Sequence, residues 1–191
     1  MASTTLKCTV RYDGTEFAGW QRQDRQRTVQ GELEEAFSRI AAAPVAIQGA
    51  GRTDAGVHAL GQVFSCRWPG EPPARLAHAV SQMLGPAIRL ESVEAVQPEF
   101  NARFDARNKR YVYTFDFNRH PDPFLARYAW HVPYHVDIAL LERCLHLVEG
   151  RHDFAGFQST GSQMKKTVRT IYEVALSPGG LFTPEDARGL Y

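Results

Sequence analysis

Apolar and polar side chains alternate along the first segment of the chain, with Leu6, Cys8, Val10 and Tyr12 on one face and Lys7, Thr9 and Arg11 on the other. That period of two belongs to a half-buried strand, and Asp13-Gly14 ends it. After a polar stretch the period lengthens to that of a helix. Val29, Leu33, Ala36, Phe37 and Ile40 share one stripe, Thr28 stands where an N-cap is needed, and Glu32, Glu34 and Glu35 occupy the early turns. Pro44 marks the exit. A short strand (Val45 to Gln48), a long loop, a second strand (Gln62 to Arg67), a helix near Ala74 to Leu84 and a strand from Ile88 to Val93 come next. The order β-α-β-β-α-β predicts a split βαβ, or ferredoxin-like, unit: an antiparallel sheet with both helices on one face.

The second half begins alike. A strand is expected from Arg110 to Phe117, then a helix from Asp137 to Glu149 with Leu141, Cys144, Leu145 and Val148 as its apolar stripe, Asp137 as N-cap and Gly150 as its stop. Another strand is expected from Arg169 to Leu176. Ser177-Pro178-Gly179-Gly180 then leaves only eleven residues, so this half reads as incomplete, with a strand edge and a helix face lacking cover. The domains are placed at 1–105, carrying the long loop, and 106–191, with Pro98 to Lys109 as a basic linker that does not separate independent domains.

The loop Gly49 to Gly61 is far longer than a hairpin needs, and long ordered loops tend to carry function. Its glycines permit positive φ and close approach to a ligand. Gly49-x-Gly51 is not a dinucleotide fingerprint, because Asp54 stands where glycine is required, and no Walker lysine is present. Asp54 lies two residues past Arg52. Lifted into a dry pocket and kept ionised by that arginine, its carboxylate could attack an electrophilic carbon. The alternative is a capped turn in which Asp54 only bonds backbone amides. Tyr111 has two readings as well: a stacking platform for a base, or one member of a core stripe with Tyr113, Phe115 and Phe117.

Composition excludes more than it selects. The 191 residues are 43% hydrophobic and 23% charged, ordinary globular values, and no apolar run approaches a membrane span. The first residues do not form a secretory signal, which points to the cytoplasm. Cys8, Cys66 and Cys144 have neither disulfide nor zinc spacing, and His131 and His135 are separated by Pro133 without a third ligand, so no metal is expected. A net charge of +1 carries no signal for nucleic acid. Two local runs are basic: Arg103, Arg107, Lys109 and Arg110, and Lys165, Lys166 and Arg169. Either is a solvated face or a phosphate contact. Gly19-Trp20-Gln21-Arg22-Gln23, with Arg25 and Arg27, is equally open between an RNA contact and a surface loop. His58 is read as a turn residue bonded to backbone.

Gly51-Arg52-Thr53-Asp54-Ala55-Gly56-Val57-His58-Ala59, followed by Gly61-Gln62-Val63, resembles the signature of the tRNA pseudouridine synthase A family. Tyr12-Asp13-Gly14, Gly19-Trp20-Gln21-Arg22-Gln23, Val29-Gln30, Phe100-Asn101-Ala102-Arg103-Phe104, Lys109-Arg110-Tyr111-Val112-Tyr113, His152-Asp153-Phe154 and Arg169-Thr170-Ile171 keep that family's order, so the resemblance spans roughly residues 5 to 176. It implies the pseudouridine synthase fold of the α+β class, an antiparallel sheet of two ferredoxin-like halves with helices on one side, the second half here incomplete. It implies Asp54 as nucleophile toward the target nucleoside, with the freed uracil turning and rejoining through C5, and no cofactor or metal. The implied partner is tRNA, at uridines 38, 39 and 40 of the anticodon stem-loop, where the base is flipped out for reaction. Arg52 matches the arginine that helps extrude the base, and Tyr111 the tyrosine that packs on it. The family's homodimer is expected too. Family members usually continue after the strand matching Arg169 to Leu176 and carry a segment like Phe-Leu-x-x-Met-Val-Arg, whose arginine pairs with the nucleophile. That segment is not found here, although Thr183 to Tyr191 resembles the family's last loop. The competing expectation is therefore a catalytically impaired RNA-binding or dimerising remnant.

Overall fold

A computed structural model describes residues 3–158 and 166–179. The chain divides into two compact units, one running to Tyr111 and the other starting at Val112.

In the first unit the elements follow the order read from the sequence. They are β1 (Ser3–Tyr12), α1 (Val29–Ala41), β2 (Ile47–Gly49), β3 (Ala59–Pro69), α2 (Leu76–Leu84) and β4 (Ile88–Val96). The strands form one antiparallel sheet in the order β2-β3-β1-β4. The alternation of β1 survives intact: Leu6, Cys8, Val10 and Tyr12 are buried, while Lys7, Thr9 and Arg11 are only half-covered. Cys8 lies opposite Phe64 in β3 and Val93 in β4. The buried face joins Val29, Leu33 and Phe37 of α1 and Leu76, Val80 and Leu84 of α2 in one core. Each such fully buried side chain is worth about 1.5–3 kcal/mol over its exposed state. Thr28 caps α1 by accepting from the Gly31 amide at 3.2 Å. The Cys66 side chain, through a hydrogen bond, and then burial push the Cys8 thiol well above its ordinary pKa.

The expected linker from Pro98 to Lys109 is partly built into this unit. Ala102 is buried and its amide donates to the Ser65 hydroxyl of β3 at 3.1 Å. The Pro98 carbonyl accepts from the Arg67 guanidinium at 2.6 Å.

The second unit departs further from expectation. The strand expected from Arg110 to Phe117 shrinks to β5 (Phe115–Asp116), which pairs in parallel with β6 (Trp130–His131). Tyr111, Val112 and Tyr113 are exposed, and a strand is not formed without a partner for its backbone. Asp137 does cap α3 (Ile138–His146), accepting from the Leu140 amide at 3.0 Å, but the helix ends at a Leu147 cap. Gly150, at φ +96°, opens β7 (Gly150–Asp153) instead of stopping the helix. Leu141, Leu145 and Val148 are only half-buried, and Cys144 is exposed. β8 (Val168–Ile171), shorter than the expected Arg169 to Leu176, pairs with β7 in an antiparallel ladder. Among the described residues of this unit Asp116 is the buried polar side chain. Amides of Asn118 and Asp122, each at 3.0 Å, hold its carboxylate below the ordinary pKa.

Candidate functional site

The loop from Ala50 to His58 leaves β2 and re-enters at β3. Its first residues still follow the sheet. The Ala50 amide donates to the Val63 carbonyl at 2.8 Å, and the Gln62 side-chain amide donates to the Gly51 carbonyl at 2.7 Å. Beyond Gly51 the loop leaves the strand, and a second segment, the connection from β1 to α1, takes hold of it.

That clamp is made at successive points. The Tyr12 hydroxyl and the Thr53 hydroxyl are 2.8 Å apart, and the Trp20 amide donates to the Thr53 carbonyl at 3.0 Å. The Gly56 amide donates to the Phe17 carbonyl at 3.3 Å, and the Gly14 amide to Nδ1 of His58 at 3.1 Å. The same Nδ1 lies 3.0 Å from the Asp13 carboxylate. Tyr12 stays on the buried face of β1 while the register slips against β3 between Val10 and Tyr12 and against β4 between Thr9 and Val10. Burial raises the Tyr12 phenol above its ordinary pKa, against a smaller lowering by Thr53.

Glycine is required on the clamp side. Gly19 has φ +93°, and a Cβ there would meet the Thr53 carbonyl oxygen at 2.7 Å. At Gly14 a Cβ would run into the Val57 carbonyl. Trp20 is 1% exposed, so Gly19-Trp20 is a loop support with its ring in the core, neither an RNA contact nor a surface loop. The only sequence signal for this role was a tryptophan next to a glycine in a polar stretch. The arginines that follow are largely committed: Arg22 pairs with Glu34 at 2.9 Å, and Arg27 with Glu32 at 2.9 Å and Glu16 at 3.4 Å.

Held this way, the loop presents its tip. Asp54 and Arg52 are both exposed, so the carboxylate stands in solvent, not in a dry pocket. Among the described residues no ion pair joins them, and the Asp54 side chain bonds no backbone amide. Only its carbonyl takes part in the turn, accepting from the Val57 amide at 3.2 Å. The turn-capping alternative for Asp54 therefore has no bond to support it. Tyr111 is 72% exposed, outside any strand, and without a ring contact or hydrogen bond among the described residues, so it is not part of a core stripe. The structure thus brings Arg52 and Asp54 to one loop tip and leaves Tyr111 free of the core.

Arg103, Arg107, Lys109 and Arg110 are exposed, as are Lys166 and Arg169 of the other basic run, whose Lys165 lies outside the described residues. So does the segment from Thr183 to Tyr191. Lys109, read from the sequence only as one member of the first basic run, reaches Gly51: a Cβ on that glycine would lie 2.6 Å from the lysine Nζ. Among the described residues no group of three or more His, Cys, Asp or Glu side chains is arranged to hold a metal ion, and no helix is long and apolar enough to cross a membrane.

The family model described as tRNA pseudouridine synthase matches residues 9–105, which include all of the clamp and the loop. The tRNA pseudouridine synthase A of Latilactobacillus sakei is 41% identical over 172 residues, 89% of this chain and 69% of that protein. This chain belongs to the tRNA pseudouridine synthase family. The synthase A of Lacticaseibacillus casei is 42% identical over 175 residues, covering 91% of this chain and 71% of that protein. That of Bacillus licheniformis is 40% identical over 178 residues, covering 92% and 72%. Membership carries the fold with it: a mixed α/β pseudouridine synthase with an antiparallel sheet.

Proposed function

We propose that this chain isomerises uridine to pseudouridine in tRNA, with Asp54 as the nucleophile. The observation that carries the proposal is the clamped loop: a carboxylate held at an exposed tip by contacts from residues 12–20, with its side chain uncommitted among the described residues. A fixed carboxylate that makes no internal bond is suited to meet an electrophilic carbon when a substrate covers it and excludes water. The reaction is a balanced rearrangement. The bond from C1′ to N1 breaks, one from C1′ to C5 forms, C5 loses a proton and N1 gains one, so no oxidant or cofactor is called for. The base must leave the stack to be reached. Arg52, at the same tip, suits extrusion of the base and grip on the RNA, and Tyr111 offers an exposed aromatic face for stacking.

The finer reading follows the sequence resemblance: uridines 38, 39 and 40 of the anticodon stem-loop, a cytoplasmic homodimer, no metal, and a sheet of two ferredoxin-like halves. The strand order of the first unit supports the first of those halves. A second reading, an RNA-binding or dimerising protein with impaired turnover, is favoured by the exposed apolar side chains of the second unit. Tritium release from tRNA labelled at uridine C5 separates the two. The full chain should release tritium and Asp54→Asn should reduce release by at least about a thousandfold, the scale of losing a covalent nucleophile. Release by Asp54→Asn near the unaltered rate would refute the assignment.

A further inference from the structure

Gly51 and Lys109 are 58 positions apart in the sequence, and the fold stacks one on the other. An added Cβ on Gly51 would lie 2.6 Å from the lysine Nζ and 3.1 Å from its Cε, so the end of this side chain occupies the space that a residue other than glycine would fill. The approach is prepared by the docking of Ala102 on Ser65 and by the turn that follows, where the Asn101 amide donates to Asp105 at 2.8 Å and the Arg103 amide to Asn101 at 3.0 Å. Lys109 is exposed, and among the described residues it has neither a carboxylate nor a hydrogen-bond partner. Arg22 and Arg27, by contrast, are neutralised by glutamates. An exposed ammonium that is unpaired among the described residues and lies beside an RNA-processing loop is suited to a phosphate oxygen.

We propose that Lys109, seated on Gly51, binds a backbone phosphate of the RNA beside the nucleotide presented to Asp54, and that position 51 is glycine to leave room for that ammonium. This rests on reading the Asp54 loop as the site of pseudouridine formation. Because the neighbouring atom is the far end of a flexible side chain, Gly51→Ala is accommodated by the fold, and what it changes is where the ammonium sits.

The test measures binding of unmodified tRNA to the full chain as a function of salt, for the unaltered protein, Lys109→Gln, Lys109→Arg, Gly51→Ala and the Gly51→Ala/Lys109→Gln pair. Removing one phosphate contact lowers the slope of log affinity against log salt by about 0.7–0.9. Between about 50 and 200 mM salt the unaltered protein should therefore lose about threefold more affinity than Lys109→Gln. Lys109→Arg should restore the slope. Gly51→Ala should flatten it with no change in thermal midpoint, and the pair should be no weaker than Lys109→Gln alone. A slope unchanged by Lys109→Gln, or losses from the two positions that multiply, would overturn the inference. Salt-dependent tRNA binding without tritium release would remove the functional reading and leave the Lys109 contact standing. Absence of tRNA binding by the unaltered chain would remove both.

Discussion

The sheet and helices of the first unit hide their largest side chains, and the second unit displays many of its own. Trp20, Phe37, Phe64 and Leu33 are at most 1% exposed, whereas Tyr113, Phe124, Trp130 and Tyr134 are between 68% and 87% exposed. Both units have apolar stripes and capped helices, so local signals do not distinguish them. What differs is cover. The β1 face is closed by two helices, making two layers around one core, while α3 has no fully buried residue and the short ladders β5-β6 and β7-β8 give local ring contacts such as Phe115 on Phe117, 5.8 Å apart. A stripe yields stability only when a second layer removes it from water.

The largest effect expected from this contrast is in side-chain truncation. Phe64→Ala should cost about 3–5 kcal/mol, and Phe124→Ala should stay within about 0.5 kcal/mol. Urea midpoints compared at equal m-values provide the measurement, and matching losses would erase the distinction between the units. A smaller effect is expected at two glycines with nearly the same φ, +93° at Gly19 and +96° at Gly150. Gly19→Ala combines positive φ with the approach to the Thr53 carbonyl, whereas the nearest atom to a Cβ at Gly150, outside its chain neighbours, is a His152 ring nitrogen at 3.6 Å. Strain should cost about 1–3 kcal/mol at Gly19 and sit at the low end of that range at Gly150. Turnover on tRNA should fall for Gly19→Ala and hold for Gly150→Ala, since only the former displaces the loop. Equal turnover in the two variants would show that the clamp is not needed.

The smallest effect lies in pH dependence, and its sign differs between the units. Tyr12 has a raised pKa in the folded state, so its contribution is complete below the ordinary tyrosine value of 10.0 and lost as pH rises through the folded value. Asp116 has a lowered pKa, so its contribution is present above the ordinary value of 3.8 and lost as pH falls through the folded value. Tyr12→Phe should remove part of the alkaline loss, and Asp116→Asn part of the acid loss. Midpoints measured across pH for both variants check this, and an alkaline limb unchanged in Tyr12→Phe would place the titrating group elsewhere.

What the sequence made legible was what depends on neighbours a few residues away. The alternation of β1, the Thr28 cap and the Asp137 cap all appear where the pattern puts them. The failures involve distant partners. Tyr111, Val112 and Tyr113 have strand-like composition, yet pairing depends on what lies alongside, and no local pattern encodes that. For the site, Arg52 and Asp54 were legible as a string, as were the glycines around them. The support by Trp20 and Gly19, and the contact of Lys109 with Gly51, were not, because each joins segments that only the folded sheet brings together.

The clamp also limits what the nine residues from Gly51 to Ala59 are on their own. Its side-chain bonds span 41 residues from Tyr12 to Thr53 and 44 from Gly14 to His58, so the chain must close large loops before the tip has a shape. Excised as a peptide, or grafted between two strands of another scaffold, the same letters would have no Trp20 amide to meet Thr53 and no Phe17 carbonyl for Gly56. The recognisable string is therefore not a portable cassette. Its geometry belongs to the pairing of β1 with β3, and any transplant has to bring residues 12–20 along with it.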